Sequence, residues 1–484
     1  MNTAIDSAQR HAPVTLAASS SGSARGSNWA PLALVGIALL LWLASMAVFL
    51  VFPLEALPRY FARRYLVLDA TSLLFIGVVN TVFLGISVYL FSRRRTSARL
   101  ARDFLPRAAL SLLFMLVTNL AVLSNHLIVL WTLLELSTLC AAPLVARGDT
   151  ALPKAVAWRF VLYSAMSLSL TFMGFMCLTQ SAALRGVDID FAVDALGQAL
   201  SPAGDGWQHL GLAFMVFGLG GKLGLAPLYS WLPETYETAP TSTSALLAAV
   251  QFNISMVAVF RILQVCRGVD TSFVAQELLV MGYLSLVVAA VKVMAVRNYK
   301  RLIAYACISS SGVIALGLSV GQAAAYGVVL YVVSNAFVKA LLFLTAGRLR
   351  ATYGTNDVAA LSGVIRILPF SGSLFTVGIF ALLGFPPFAG FLAEMLTLSG
   401  IVQAGNLMAF TLMCVMLTVI FVATGRCVFP MLWGAPSREV PTAHEPRLTT
   451  VPKLGFVAIL TMLGTYTPEP FTRLLRAVAQ SIGG

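Results

Sequence analysis

The stretch 213–240 reads AFMVFGLGGKLGLAPLYSWLPETYETAP and places one lysine, Lys222, inside a long apolar segment. A lysine in the hydrocarbon core of a membrane costs about 2.5–3.5 kcal/mol on insertion scales, so it is kept where a proton, an ion or a partner charge makes it useful. Gly220 and Gly221 precede the lysine and Pro227 follows it, which weakens helical hydrogen bonding at this point. Interrupted helices of this kind line ion pathways in membrane proteins. The stretch therefore predicts a broken transmembrane helix with a functional charge at the break.

The composition is that of a membrane protein. Of the 484 residues, 59% are hydrophobic and 11% are charged, whereas a soluble domain carries about 25% charged residues. The apolar runs are about 20 residues or longer, and the alternating segments of about ten residues that a β-barrel would show are missing. We therefore predict an all-α polytopic membrane protein of about 12–14 transmembrane helices, some of them broken. The candidate spans are 30–53, 66–91, 106–124, 126–146, 156–180, 207–230, 240–265, 274–296, 301–320, 324–349, 370–400, 404–432 and 451–467.

The net charge of +13 lies in the loops between spans, which argues against nucleic-acid binding and follows the positive-inside rule. The loop at 181–206 is acidic, and the loop at 231–239 breaks the alternation with Glu234 and Glu237. The alternation predicts a multi-pass protein of a bacterial-type inner (plasma) membrane, with the basic loops and the N-terminus in the cytoplasm. The basic loops hold Arg93, Arg94, Arg95, Arg99, Arg102 and Arg107, then Arg147 and Lys154, then Arg297, Lys300 and Arg301, then Arg348 and Arg350.

The sequence predicts no cofactor, no metal site and no catalytic residue. The six cysteines are scattered without a Cys-x-x-Cys pair, and the four histidines are dispersed. A glycine-rich phosphate loop after a strand is also missing. We therefore expect any redox chemistry to reside on another polypeptide.

Several polar side chains fall deep within the candidate spans and form the candidate site. Glu135 and Lys222 lie in spans that can be neighbours, which suggests a buried ion pair, and separating the two charges would change how tightly the lysine holds its proton. A static pair that fixes helix packing is the alternative. The other ionisable groups are Lys339, which could instead snorkel, Glu394, which could instead bond the broken backbone around Pro386 and Pro387, and Asp69, which could be structural or interfacial. Neutral polar groups are Gln251 and Asn253, which could be interhelical hydrogen bonds, and Asn335.

A second interrupted stretch, GFPPFAGFLAEM at 384–395, carries one charge, Glu394, as the first carries Lys222. Paired interrupted spans suggest an internal inverted repeat.

Five stretches in order resemble the antiporter-like, proton-translocating membrane subunits of respiratory complex I, Mrp cation/proton antiporters and membrane-bound group 4 hydrogenases. The resemblance covers roughly residues 60–430 and is greatest to the hydrogenase-4 membrane component. The stretches are WTLLELSTL at 131–139, GGKLGLAPLYSWLPETYETAPTSTSALL at 220–247, YKRLIAYACISSSGVIALG at 299–317, SNAFVKALLFLTAGRL at 334–349 and GFPPFAGFLAEM at 384–395.

This resemblance implies two inverted five-helix half-channels with broken helices, joined by a hydrated polar axis. It implies a proton relay through Glu135, Lys222, Asn253, Lys339 and Glu394, with Gln251, Asn335, Ser310 and Asp69 as possible supporting residues. The chain departs from the family at Asn253, where a lysine or histidine is often found, at Asn335, where a histidine is usual, and at Ser309–Ser311. The expected regions are a disordered tail (1–29), N-terminal transmembrane helices (30–124), a first half-channel (125–265), a second half-channel (266–432), and a C-terminal loop with the last transmembrane helix (433–484).

Three functions are compatible with these features. The first is a proton- or cation-translocating subunit of a redox-driven complex, in which protons enter near Lys222, cross the Asn253–Lys339 region through ordered water and leave by Glu394. The second is a cation/proton antiporter or the proton-coupled partner of an inorganic-carbon uptake enzyme. The third is a scaffold that anchors a catalytic arm. The expected partners are other membrane and peripheral subunits, membrane lipid, and protons or sodium ions.

Overall fold

The computed structural model describes residues 29–94, 103–147, 151–435 and 445–483. The described part consists of membrane-length helices, which confirms the predicted all-α polytopic class. Most of the predicted disordered tail lies outside the described residues, and so do Arg95, Arg99 and Arg102 of the first basic loop.

The N-terminal part of the chain contains nine helices and one β-hairpin within the described residues. They are α1 (Trp29–Val51), β1 (Arg59–Phe61), β2 (Leu66–Leu68), α2 (Ala70–Arg94), α3 (Phe104–Leu123), α4 (Leu127–Val145), α5 (Ala151–Arg185), α6 (Val193–Ala199), α7 (Gly206–Lys222), α8 (Trp231–Thr238) and α9 (Thr241–Val265).

The C-terminal part contains nine α-helices within the described residues. Its helices are α10 (Ser272–Val293), α11 (Tyr299–Ser319), α12 (Gln322–Tyr353), α13 (Val364–Ile367), α14 (Pro369–Leu382), α15 (Ala389–Gln403), α16 (Leu407–Trp433), α17 (Arg447–Thr465) and α18 (Glu469–Ile482).

Eleven of the described helices are long and apolar enough to cross a membrane. The pairs α7/α8 and α14/α15 each replace one predicted span by a broken helix, so the predicted number of spans agrees with the structure. The prediction missed five elements outside the predicted spans, namely the β-hairpin, α6, α8, α13 and α18, of which α8 replaces the predicted loop at 231–239. It also began the second span at 66, where β2 precedes the helix.

Contacts between helix ends define two faces of the bundle. Arg93, at the end of α2, donates to the carbonyl oxygen of Gly347 near the end of α12 (3.0 Å). At the same face, Arg301 at the start of α11 pairs with Glu237 at the end of α8 (3.1 Å). We call this the basic face, and the other end of these helices the opposite face. The broken helix α7/α8 runs from the opposite face to the basic face, and α14/α15 runs in the reverse direction.

The two acids that break the charge alternation are neutralised at the basic face. Glu234 pairs with Arg159 of α5 at 2.9 Å, and Glu237 pairs with Arg301. Lys300 caps the C-terminal end of α8 by donating to the carbonyl oxygens of Glu237 (2.7 Å) and Ala239 (2.6 Å). These contacts fix the short helix α8, so an acidic loop is compatible with a basic face.

The most buried helices form the centre of the bundle and hold its polar residues. Each of these helices contains an 18-residue apolar stretch. All residues of this stretch are buried in α12 and 94% of them are buried in α9 and α11, whereas 17% are buried in α1 and 22% in α16. The outer helices therefore present apolar side chains to lipid, while polar groups on α9, α11 and α12 are shielded from it.

The C-terminal helix α18 is amphipathic and covers the opposite face. Pro468 and Pro470 flank its first residue, Glu469, because proline suits the first turn of a helix. Its apolar side, which includes Leu475 and Val478, is buried against α2, α9 and α12.

Candidate functional site

The helix α7 ends at Lys222 because of its glycines. Gly224 has a φ of 74°, which glycine adopts at little cost, and the Leu225 amide donates back to the carbonyl oxygen of Gly220 (2.9 Å). Lys222 therefore lies in the last turn of the helix, where the partial negative charge of the C-terminal end favours a cation.

Side chains of neighbouring elements satisfy the backbone groups that this break exposes. Ser285 accepts from the Ala226 amide (2.8 Å), Ser311 donates to the Leu223 carbonyl oxygen (2.9 Å), and the Trp231 indole donates to the Gly221 carbonyl oxygen (2.9 Å). A buried break needs such partners because an unpaired backbone group in hydrocarbon costs several kcal/mol. Ser311, which the sequence marked only as a departure from the family, thus has a structural use.

Lys222 is buried among hydroxyl groups. Its Nζ donates to Thr138 Oγ1 of α4 and to Ser164 Oγ of α5, and these two hydroxyls lie 3.1 Å apart. The Gln251 amide of α9 donates to the same Thr138 oxygen at 3.3 Å. Thr138 therefore links the lysine of the first break to the central helix α9.

The predicted direct ion pair between Glu135 and Lys222 is not formed. Glu135 acts on Lys222 through space, but it makes no salt bridge with it, and Glu135 Oε2 has no hydrogen-bond partner within the described residues. The lysine instead uses Thr138, which lies three residues after Glu135 on α4. The acid and the lysine are therefore near each other with a polar hydroxyl beside them.

The centre of the site is a π-helical turn in α9 over Leu247–Gln251. Such turns occur often at functional sites, because the extra residue changes the direction of nearby side chains. Gln251 Oε1 and Asn253 Oδ1 are buried without a hydrogen-bond partner in the described part of the chain. The Asn253 amide group donates only to the Ala249 carbonyl oxygen of its own helix, so the structure joins Asn253 to neither lysine.

Lys339 lies in the middle of α12 and is fully buried. Its Nζ is 3.7 Å from the centroid of the Phe252 ring, the residue between Gln251 and Asn253. An aromatic face attracts a cation by about 0.5–2 kcal/mol, more when both are desolvated. Nζ has no hydrogen-bond partner among the described residues. Lys339 therefore contacts α9 through the ring of Phe252, next to Gln251 in the sequence.

Glu394 belongs to the second break. Gly384 has a φ of 67°, and a β-carbon there would clash with the Glu394 carboxylate, so the side chain folds back against the broken backbone. The Tyr331 hydroxyl of α12 donates to Glu394 Oε1 at 2.9 Å. Ser310 and Asn335 lie beside the same hydroxyl.

Tyr331 is a site residue that the sequence analysis missed. It lies four residues before Asn335 and eight before Lys339, so the three side chains follow one side of α12. The Asn335 amide group donates to the Tyr331 carbonyl oxygen (2.9 Å). This spacing is the signal that could have revealed it. Thr138 and Ser164 were also missed.

Asp69 lies away from these residues, at the opposite face. It forms a two-pronged ion pair with Arg261, with contacts of 2.6 and 3.1 Å. Burial raises the pKa of the Asp69 carboxyl, but Arg261 and the hydrogen bonds of Ser72 outweigh burial and hold the pKa below its usual range. The pair ties the start of α2 to α9.

Comparison with known proteins gives consistent matches. A family model described as NADH:quinone oxidoreductase/Mrp antiporter, TM, matches residues 124–421. The chain is 27% identical over 417 residues to a hydrogenase-4 component F homolog of Methylacidiphilum infernorum, covering 84% of this chain and 86% of that relative. It is 25% identical over 402 residues to a Na(+)/H(+) antiporter subunit of Bacillus subtilis, covering 82% of this chain and 79% of that relative.

A solved structure shares the fold. A chain of the membrane-bound sulfane sulfur reductase, an archaeal respiratory membrane complex, matches with a TM-score of 0.83 and 22% identity over 94% of this chain and 93% of that chain. These matches confirm the predicted family resemblance. Because the family model spans more than half of the sequence, the chain belongs to the NADH:quinone oxidoreductase/Mrp antiporter transmembrane family.

Proposed function

We propose that this protein is a proton- or cation-translocating membrane subunit of a multi-subunit, redox-driven complex. The observation that carries the proposal is the row of buried polar groups between two broken helices that run in opposite directions. Lys222, Thr138 and Gln251 form one end of the row, and Tyr331 with Glu394 forms the other end. A buried ionisable group in a membrane helix is functional by default.

Lys339 and Phe252 lie between the two ends of the row. A proton on Lys222 is held by two hydroxyls that can pass it on, because a hydroxyl both donates and accepts, and the Gln251 amide donates to one of them. Buried polar atoms almost always bind protein or water, so we expect ordered water at Gln251 Oε1, Asn253 Oδ1 and Lys339 Nζ. Phe252 is the apolar step that this water must pass, which makes the ring a gate.

We assign the direction of the proton path from the faces at which the two broken helices end, since α7/α8 ends at the basic face and α14/α15 at the opposite face. Protons enter from the basic face near Lys222, cross at Lys339 and leave past Glu394 towards the opposite face. The basic face and the N-terminus lie in the cytoplasm of a cell with a bacterial-type inner membrane, as the loop arginines favour. The reversed directions of the two broken helices support the inverted repeat, with half-channels over 125–265 and 266–432.

Electron transfer belongs to partner subunits. A redox-driven change in a partner would alter the surroundings of Glu135, whose carboxylate is half-buried on α4 and close enough to act on Lys222. The distance between this acid and the lysine then controls proton uptake and release, although the two groups do not touch at rest.

A second candidate is a cation/proton antiporter, or the proton-coupled partner of an inorganic-carbon uptake enzyme. The similarity to a relative named as part of an antiporter favours its first form. In that case an ion gradient, rather than an electron donor, drives proton movement through the same residues.

The test uses membrane vesicles that contain the full chain with its native partners. We expect Lys222→Met to lower proton translocation about 100-fold or more, because the variant removes a proton carrier. Lys154→Met is the matched control, since Lys154 is an exposed lysine near the start of α5. Addition of an electron donor or of a sodium gradient distinguishes the two candidates. Normal translocation in Lys222→Met would contradict both and leave the scaffold function.

A further inference from the structure

Lys453 is a buried lysine that has no part in the row described above, unlike Lys222 and Lys339, and it does not cap a helix as Lys300 does. It lies in the second turn of α17, is fully buried, and its Nζ has no hydrogen-bond partner within the described residues. Tyr89 of α2 lies beside the lysine, with its ring centroid 5.6 Å from Nζ. A lysine in such a place calls for a partner charge.

The partner charge is Glu445, which precedes α17. Its Oε2 accepts from the amide (2.9 Å) and the hydroxyl (2.8 Å) of Ser371, at the start of the second broken helix α14. Its Oε1 is buried and has no hydrogen-bond partner in the described part. Glu445 acts on Lys453 through space without a salt bridge, and Arg93 and Arg348 are the other charged groups that act on the lysine.

This arrangement repeats the one at the first break. Glu135 and Lys222 are also an acid and a lysine in which the acid acts on the lysine without a salt bridge, and the acid has an unpartnered carboxylate oxygen within the described residues. The two pairs lie beside the first and the second broken helix, respectively. A carboxylate and an amine that form no direct contact can exchange a proton through intervening water.

We propose that Glu445 and Lys453 form a second acid–lysine pair, which loads protons from the basic face into the second half of the protein. In this step a protonated Glu445 gives its proton through water to the neutral Lys453 amine, which leaves a carboxylate and an ammonium. The inference rests on the proposed function, because it supplies a second point of proton uptake for the same translocation.

Two observations connect the pair to the central helices. Phe456, one turn after Lys453, packs on Phe337 of α12 with ring centroids 5.8 Å apart, so the helix of Lys453 is held against the helix of Lys339. The hydroxyls of Tyr89 and Thr241 both crowd the α-carbon of Gly347, where a β-carbon would clash with them. Tyr89 is the residue whose ring lies beside Lys453, and Thr241 begins α9, the helix of Gln251.

A purely structural role for the pair makes a different prediction. If Lys453 only supplies a positive charge for Glu445, arginine can replace it, because arginine keeps the charge. Arginine does not release its proton in proteins, so it cannot replace a proton carrier. The variants Lys453→Arg and Lys453→Met therefore separate the two roles.

The experiment measures proton translocation against pH in vesicles holding the full chain with its partners. We expect Lys453→Arg, Lys453→Met and Glu445→Gln each to slow translocation about tenfold and to change its pH profile. Lys292→Arg, at an exposed lysine of α10, is the control, and co-purification of partners checks assembly. Wild-type rate and pH profile in Lys453→Arg would overturn the inference. Lys222→Met is run in parallel, because its normal activity would instead overturn the proposed function.

Discussion

The two broken helices differ in where they place their charge. Lys222 lies before its break, in the last turn of α7, and donates to two hydroxyls. Glu394 lies after its break, in the second turn of α15, folds back against Gly384 and accepts from one hydroxyl. A lysine needs acceptors and a carboxylate needs donors, and hydroxyls serve both. The comparison teaches that hydroxyl groups, rather than opposite charges, stabilise the ionisable group at each break.

The largest expected effect comes from removing the charge of the second break. Glu394→Gln keeps the size of the side chain but cannot carry a proton, so we expect proton translocation to fall about 100-fold or more. As a control, Gln403→Glu is added to the Glu394→Gln variant. Gln403 is exposed at the end of α15, so a carboxylate there should not restore translocation. Vesicles assayed with a pH-sensitive dye give the rates. Equal rates for wild type and Glu394→Gln would show that only the first break is functional.

The next effect tests the backbone of the second break. Gly384→Ala adds a β-carbon against the Glu394 carboxylate at a φ of 67°, so we expect a loss of stability of about 2–3 kcal/mol. The control is Gly405→Ala, where φ is 75° but no atom lies within 4 Å of the added carbon. It should lose only about 1–2 kcal/mol. Thermal unfolding of both variants in detergent measures the difference, and equal losses would contradict the close approach.

A smaller effect tests the hydroxyl that stabilises Glu394. Tyr331→Phe removes the donor to Oε1 and leaves a buried carboxylate less satisfied, so translocation should fall roughly tenfold. Tyr326→Phe, on the same helix, changes a tyrosine that makes no hydrogen bond within the described residues. That control should translocate at the wild-type rate. A wild-type rate in Tyr331→Phe would remove the hydroxyl from the path.

The smallest effect tests the first break. Ser311→Ala removes the hydrogen bond to the Leu223 carbonyl oxygen and should lower stability by about 1 kcal/mol. Ser319→Ala is the control, because that hydroxyl bonds only to the Leu316 carbonyl oxygen of its own helix. Thermal unfolding compares the two variants. If both lose the same stability, Ser311 does not anchor the broken backbone.

The sequence revealed the charges of the two breaks but not their partners. Lys222, Lys339 and Glu394 could be found because a charge in an apolar span is rare. Thr138 and Ser164 could not be found in this way, because hydroxyl side chains are common in such spans. Their contact with Lys222 depends on how α4, α5 and α7 are rotated against one another. For the same reason the Glu135–Lys222 contact was predicted but is not formed.

Two other outcomes follow the same principle. Asp69 stands out in the sequence, but its partner Arg261 lies 192 residues away, and only the packing of α2 against α9 brings them together. Lys453 lies at the start of the last predicted span, 451–467, and the sequence analysis assigned it no role. Its burial comes from α2 and α12, which the local sequence does not show.

The central claim is that the two breaks are joined through Lys339. Infrared difference spectroscopy can follow the carboxyl C=O band of Glu394, assigned by its loss in Glu394→Gln, after acidification at the basic face. The account predicts that the band responds in the wild-type protein and stops responding in Lys339→Met. An unchanged response in Lys339→Met would contradict the account, because Glu394 would then receive its protons by another route.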